Sequence, residues 1–537
     1  MPSSMSQQPN DGSGRAPVAI VRPTTSVTSG VAVTQKLVSA AVAFGNLLKG
    51  TFGPNGLDKM LYKTNGETAV TNDGAKIVAE LLVKHPAAKA FVQLAESQEN
   101  ACGDGVTGCI IFASELMRES GVLLEKGLHP LVLVNGYQDA MHKTIEILEA
   151  NSKSVSIDDV QVLESVAATA MTGTSVESVS EILAKLVVSA AQHVARNNEG
   201  AYIVDTELVR MAKKGTGSLS DTKLVKGIII DKNLDLEKLP RKLAAGKVIV
   251  FSCPLEIEKT SYDAEIEIST TEQWTSFMAA EEEILNHKAK QIIDSGAKMV
   301  FCAETIDARI MHQLADNDIC VLASMEKSGA EDVALATGAL LIDHVDSIEE
   351  STMGKFESMT VETFDSAEGL RDRLYLNVGE DSGLTTIDVS GGGGATSEEF
   401  IRGLYDALNS VAKTIESGYA LCGGGNSHTT AALQIKEYAE SIAGRERLAV
   451  EGFARALESI PATLVSNSGN NMLDGLLELR SQIRLGGQNC GIDINGKVAN
   501  LEHVWECTDT VLHALEAACE TACGLLRVDQ VISARGD

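Results

Sequence analysis

Glycine-aspartate turns crowd one end of this chain and a glycine run answers them near the other. That pairing restricts the fold more than any composition figure. Thr51-Phe52-Gly53-Pro54-Asn55-Gly56, Asn72-Asp73-Gly74 and Gly103-Asp104-Gly105 fall within 55 residues, whereas Gly423-Gly424-Gly425 lies far downstream. Glycine lets a backbone approach a phosphate closely, and a neighbouring aspartate can hold a magnesium ion or a water. The pattern predicts a nucleotide site built from both ends of the chain.

Apolar spacing supplies the elements around these turns. Val31, Val33, Leu37, Ala41, Phe44 and Leu48 recur at helical intervals over 31–50. A short strand is expected at 67–71, then helices at 75–83, 87–101 and about 107–126. Asp104 and Gly105 therefore precede a helix N-terminus, where free amide N–H groups and the macrodipole favour a phosphate. An aspartate there is equally expected as a helix cap. Residues 136–200 read as mostly helical. The character changes near Lys223: 224–231 and 247–251 are β-rich, and a charged helix at 270–295 carries Glu281-Glu282-Glu283. Strand and helix then alternate through 299–302, 307–315, 319–323, 331–337 and 340–342, which predicts an α/β domain inserted in a helical chain. Gly391–Gly394 reads as a flexible joint. Thr396 and Glu399 form a capping-box pattern opening a helix that carries Asp406.

Composition excludes several classes. A chain of 537 residues implies about three domains. Aromatics are only 4%, so alanine, valine, leucine and isoleucine must fill the cores. The net charge is −29 and no Lys/Arg run makes a basic patch, so nucleic acid is not an expected partner. Ten scattered cysteines lack a Cys-x-x-Cys pair or a histidine cluster. Reduced thiols in the cytoplasm are expected rather than zinc. No apolar run reaches the roughly 18–20 residues of a membrane span, and residues 1–16 read as a disordered tail without a signal-peptide pattern.

A series of short motifs then identifies a resemblance. Gly53-Pro54-Asn55-Gly56-Leu57-Asp58-Lys59-Met60, Thr71-Asn72-Asp73-Gly74-Ala75, His85-Pro86-Ala87-Ala88-Lys89 and Gly103-Asp104-Gly105 come first. Gly127-Leu128-His129-Pro130, Gly136-Tyr137, Ala170-Met171-Thr172-Gly173 and Val225-Lys226-Gly227 follow. Asp263-Ala264-Glu265-Ile266, Gly423-Gly424-Gly425 and Leu526-Arg527-Val528-Asp529-Gln530-Val531-Ile532 complete the order. Over about 17–533 the chain resembles the group II chaperonins, of the archaeal thermosome and eukaryotic cytosolic (TCP-1) type. The resemblance implies a multidomain α and α/β chaperonin fold. An equatorial ATP-binding domain would span 17–158 and 401–537, an intermediate hinge domain 159–223 and 361–400, and an apical client-binding and lid domain with a helical protrusion 224–360. It further implies an ATP-driven chaperone, using Mg2+, whose identical or paralogous subunits form two stacked rings of eight or nine around unfolded client proteins.

The resemblance also implies residue roles. Asp104 would hold the magnesium, and Asp73 and Asp406 would position the attacking water. Gly53, Pro54, Gly74, Gly105, Val106 and Thr107 would line the phosphates. Gly424 and Gly425 would lie near the ribose, and Glu506 near the nucleoside. Trp274, Phe277 and Met278 would belong to the protrusion, contacting client or lid, with ordinary packing as the other reading. Asp406 sits beyond the hinge, so rotation of the intermediate domain would couple closure to hydrolysis.

Some positions depart from that pattern. The usual Gly-Asp-Gly-Thr-Thr is Gly103-Asp104-Gly105-Val106-Thr107-Gly108, the lysine after Met-Thr-Gly is Thr174, and an arginine before the glycine joint is Ser390. The segment after Glu506 is Cys507-Thr508-Asp509-Thr510-Val511, and a basic cluster after an apical strand is Ser324-Met325-Glu326-Lys327. Each lost charge-assisted contact is worth about 1.5–3 kcal/mol. Nucleotide binding is expected, with slower hydrolysis or altered coupling. A ring-forming or client-holding subunit with weak or no hydrolysis is the alternative. A small-molecule kinase is disfavoured by the absence of a Walker A sequence. The terminal Arg535-Gly536-Asp537 is read as chance.

Overall fold

The computed structural model describes residues 27–29, 31–62, 68–257, 270–366, 369–391 and 395–532. The expected tail at 1–16, the Asp263–Ile266 motif, Gly392–Gly394 of the joint and the terminal Arg-Gly-Asp lie outside these residues.

Helices α1 (Val31–Lys49), α2 (Gly74–Ala79), α3 (Pro86–Cys102), α4 (Val106–Glu125) and α5 (Pro130–Asn151) open the described chain. Helix α2 stops earlier than the expected 83, because Asp73 caps its start and the next helix opens on Pro86, which holds His85 extended. Two more helices, α6 (Val160–Ala170) and α7 (Ser180–Val194), lead into strands Ala195–Asn198 and Ala201–Val204, a hairpin in a stretch expected to be mostly helical. The insertion carries α8 (Thr271–Asp294), α9 (Ala308–Asp316) and α10 (Lys327–Thr337). The chain returns through α11 (Ala395–Ser417), α12 (Asn426–Glu440), α13 (Glu446–Leu457), α14 (Ser459–Asn467), α15 (Met472–Arg484) and α16 (Thr508–Leu526).

Three bodies of core follow from this order. In the first, α1 and α3 to α5 pack against α12, α13 and α16, so both chain ends share one apolar interior. Phe453 of α13 meets Phe112 of α4 edge-on at 5.3 Å and Tyr137 of α5 at 6.0 Å. The buried Tyr137 hydroxyl donates to the Leu116 carbonyl at 3.0 Å, so this ring is buried without an orphaned polar group. Strand Val27–Ser29 pairs antiparallel with Gln530–Ile532, bringing the two ends side by side.

The second core joins α6, α7 and α11 to strands Ala201–Val204, Val209–Lys213 and Thr385–Val389. Phe400, Leu404, Ala407, Leu408 and Val411 of α11 point into it. Residues beyond 401, expected in the first body, therefore start in the second. Helix α11 begins at Ala395, so Thr396 lies in its first turn. Glu399 accepts from Thr71 Oγ1 at 2.8 Å.

The third body is a seven-stranded sheet ordered Cys320–Leu322, Ala297–Cys302, Lys242–Phe251, Gly354–Ser366, Gly369–Asn377 and Gly227–Asp231, with Leu341–Ile342 also on Lys242–Phe251. The parallel strands at its centre are apolar on both faces. Val248, Val250, Met299 and Phe301 face α10, whereas Ile249, Phe251, Val300 and Cys302 face α8 and α9. The expected end of the insertion at 360 falls inside a strand. The sheet runs on to Asn377 because Gly354–Ser366 and Gly369–Asn377 form an antiparallel pair. Charged residues alternate there with apolar ones, which hides the pair from a search for continuous apolar runs.

Candidate functional site

The turns singled out in the sequence converge on one cavity of about 610 Å³, within the ~300–1,000 Å³ of small-molecule sites. Gly53, Pro54, Asp73, Gly74, Asp104, Gly105, Val106, Thr107, Asp406, Gly424, Gly425 and Glu506 all line it. Trp274, Phe277 and Met278 do not. They lie in the first two turns of α8 itself, exposed by 57%, 38% and 41%.

Each turn is held by a distant partner. Asn467 at the end of α14 donates to the carbonyls of Lys49 and Phe52, both at 2.8 Å, and so clamps the Thr51–Gly56 turn from the C-terminal half. Asn72 donates its amide to the Gly173 carbonyl, which ties the second turn to the end of α6. A Cβ on Gly74 would fall 2.4 Å from Thr107 Oγ1, so only glycine allows the second and third turns to touch.

The Gly103-Asp104-Gly105 turn is fixed from beneath by Gln98. This fully buried amide donates to the carbonyls of Asp104 at 2.8 Å and Thr510 at 3.3 Å, and its oxygen meets His513 Nδ1 at 2.7 Å. Gly105 is the cap of α4, in the left-handed region at φ +82°, so Asp104 is not a conventional cap. The Asp104 carboxylate accepts from the Gly105 N–H at 2.6 Å and from Ser410 Oγ at 2.7 Å. Asp73 does cap, accepting from the N–H groups of Ala75 at 2.8 Å and Lys76 at 3.3 Å. Val106 lines the cavity but buries its side chain in the first core.

Asp406 is not a solvated helix residue. It faces the cavity as the middle of a stripe on α11, with Arg402 one turn before and Ser410 one turn after. That i, i+4 spacing was the available signal for the two neighbours, which sequence reasoning missed, as it missed Glu99, Glu399 and Gln98. Thr174 lines the cavity as well, but its hydroxyl is spent on the Met171 carbonyl at 2.6 Å.

The electrostatics are those of an anionic wall. Burial, then the charges of Asp104, Asp73 and Glu99, hold the Asp406 carboxyl well above its usual range, with Arg402 opposing. Burial also raises Asp104; the bonds from Ser410 and Gly105 pull it back and Asp73 adds to the rise. Glu506 is pushed up to about 7 by burial and by Asp104, against a bond from the Gly424 N–H. Burial drops His428 to about 4, so it adds no positive charge. Carboxylates that raise one another in this way fit a divalent cation, and magnesium is commonly bound through one or two carboxylates plus phosphate oxygens. Ser410 and Gly105 fix the orientation of the Asp104 carboxylate in this wall. Among the described residues no helix is long and apolar enough to cross a membrane.

The comparisons agree with this architecture. The family model described as the TCP-1/cpn60 chaperonin family matches residues 44–536. A thermosome subunit of Methanopyrus kandleri is 38% identical over 93% of this chain and 91% of its own length. The thermosome subunit alpha of Archaeoglobus fulgidus is 35% identical over 97% and 95%, and the thermosome subunit beta of Aeropyrum pernix is 34% identical over 98% and 96%. With both chain ends in one helical core, an α/β insertion between them and the glycine turns around a shared cavity, the chain belongs to the TCP-1/cpn60 chaperonin family.

Proposed function

We propose that this chain is an ATP-hydrolysing group II chaperonin subunit, that the cavity is its nucleotide site, and that it assembles with identical or paralogous subunits into stacked rings around unfolded protein in the cytoplasm. The first core would be the equatorial body, the second the intermediate hinge, and the sheet-bearing insertion the apical body. The observation that carries the reading is the meeting of Asp73, Asp104 and Asp406, from three separate segments, on one glycine-lined cavity.

Magnesium, when bound, would neutralise phosphate charge and fix the phosphate oxygens. The chain's own residues supply the rest. The turns at Gly53, Gly74 and Gly105 let the backbone approach the phosphates, and the N-terminus of α4 favours their charge. Asp73 and Asp406 orient a water for in-line attack, work that needs positioned carboxylates and no covalent step. A second reading, a ring-forming or holding subunit with little turnover, rests on Val106 and Thr174 alone. One has no hydroxyl, and the other's is already engaged.

Phosphate release by the purified assembly, wild type beside Asp406→Ala, separates the two. The first reading expects the variant to bind ATP while turnover falls at least about 100-fold. Equal turnover in both proteins would remove Asp406 from the chemistry. Absence of turnover in both, with ATP bound, would establish the holding role.

A further inference from the structure

The cavity's charge is one-sided. Asp73, Glu99, Asp104, Glu399, Asp406 and Glu506 face it, and Arg402 is the sole lysine or arginine in its wall among the described residues. Magnesium would neutralise part of an entering polyphosphate's charge, and this guanidinium is the cation the chain itself places in the wall. Arg402 is already occupied on one side. Its Nη1 donates to Glu399 Oε2 at 2.7 Å, and its Nε lies 3.4 Å from Asp73 Oδ2. Glu399 is in turn held by Thr71 Oγ1 at 2.8 Å. Five N–H donors in a planar fork leave capacity beyond these two contacts. The side chain is 28% exposed, so its free edge reaches the cavity.

We infer that Arg402 reads the terminal phosphate of the nucleotide: it is parked on Asp73 and Glu399 in the free chain and is drawn off Asp73 by the phosphate. The inference rests on the ATP-site reading above and adds a positioning residue to it. Three features support the exchange. The Asp73 contact is long, single and part-exposed, whereas a phosphate offers two oxygens to one guanidinium in parallel. Releasing Asp73 leaves its carboxylate available to orient the water when a phosphate is present. Arg402 also stands on α11, whose other face is built into the second core, so a pull on Arg402 bears on the helix that carries Asp406. Its charge already opposes the rise of both Glu99 and Asp406.

The test compares two ligands on the full-length protein. Binding of Mg-ADP and of a non-hydrolysable Mg-ATP analogue is measured by calorimetry for wild type, Arg402→Gln and Arg402→Lys. The analogue is expected to weaken by at least about tenfold in Arg402→Gln and ADP by less than about threefold, with Arg402→Lys recovering part of the loss. A purely structural arginine would weaken both ligands together, and that result, or no loss for either, overturns the inference. ADP bound normally by Arg402→Gln is also the control for folding. A wild type that binds neither ligand overturns the nucleotide-site reading itself, and this inference with it.

Discussion

At the scale of single residues, the cavity keeps carboxylates where water would favour them less than the bulk does. Glu506 is the clearest case, with a proton affinity lifted from 4.5 to about 7 by burial and by Asp104. Its folded-state value lies above its unfolded one, so the folded chain binds the proton more tightly. Glu506's contribution to the stability of the nucleotide-free protein then falls as pH rises from about 4.5 to about 7, and levels off above. Glu506→Gln removes that titration. Melting temperatures of the two proteins should be close at the acid end of the window, with the variant gaining steadily on wild type up to pH 7.5. A difference that is constant across the window would show that Glu506 is not held in this way.

At the scale of elements, much of the site could be read in advance because its parts are local. A glycine turn beside a helix end is a signal within a dozen residues, and Gly53 after α1 and Asp73, Asp104 and Gly424 before α2, α4 and α12 carry it. What could not be read depends on contacts across the chain. Gln98 looks like any polar helix residue until its amide is seen beneath Asp104, and Arg402 looks like a solvated charge until Asp73 is beside it. The Gly354–Ser366 and Gly369–Asn377 strands were missed for a related reason: their polar residues are satisfied by neighbouring strands and charges that no local pattern displays. Helix α8 is the reverse case. Its C-terminal half buries Leu285, Ala289 and Ile292, while Trp274, Phe277, Met278 and Ile284 stay exposed. Exposed large apolar groups clustered on one helix mark a contact surface. Replacing Trp274 and Phe277 together by serine should leave ATP turnover within about twofold of wild type. It should also markedly weaken suppression of aggregation of a chemically denatured protein, followed by light scattering. Full protection by the double variant would leave these side chains without a role in capture.

At the scale of the whole molecule, the question is how the sheet-bearing insertion is fastened to the rest of the chain. Arg373 is the fastening. It is fully buried on the insertion's Gly369–Asn377 strand, with Asp231 of the same sheet beneath it. From there its Nη1 crosses to Asp388 at 2.6 Å and its Nη2 to the Lys213 carbonyl at 2.7 Å, both in the second core's sheet. Tyr375 adds a bond from its hydroxyl to Asp388 at 2.9 Å. Three partners from two bodies meet one guanidinium, so the junction is strong when whole and costly when incomplete. Arg373→Met removes the direct cationic partner of the buried Asp388 and leaves it only Tyr375 and the more distant Lys223 at 3.9 Å, a loss on the order of 3 kcal/mol. Because the first core lies outside that network, calorimetry should show an early transition split from the main unfolding, with nucleotide binding unchanged below it. Adding Asp388→Asn, which removes the stranded charge, should move the early transition back towards the main one. A single transition in Arg373→Met, shifted as a whole, would mean that the insertion and the helical body unfold together and that the junction is no separate joint.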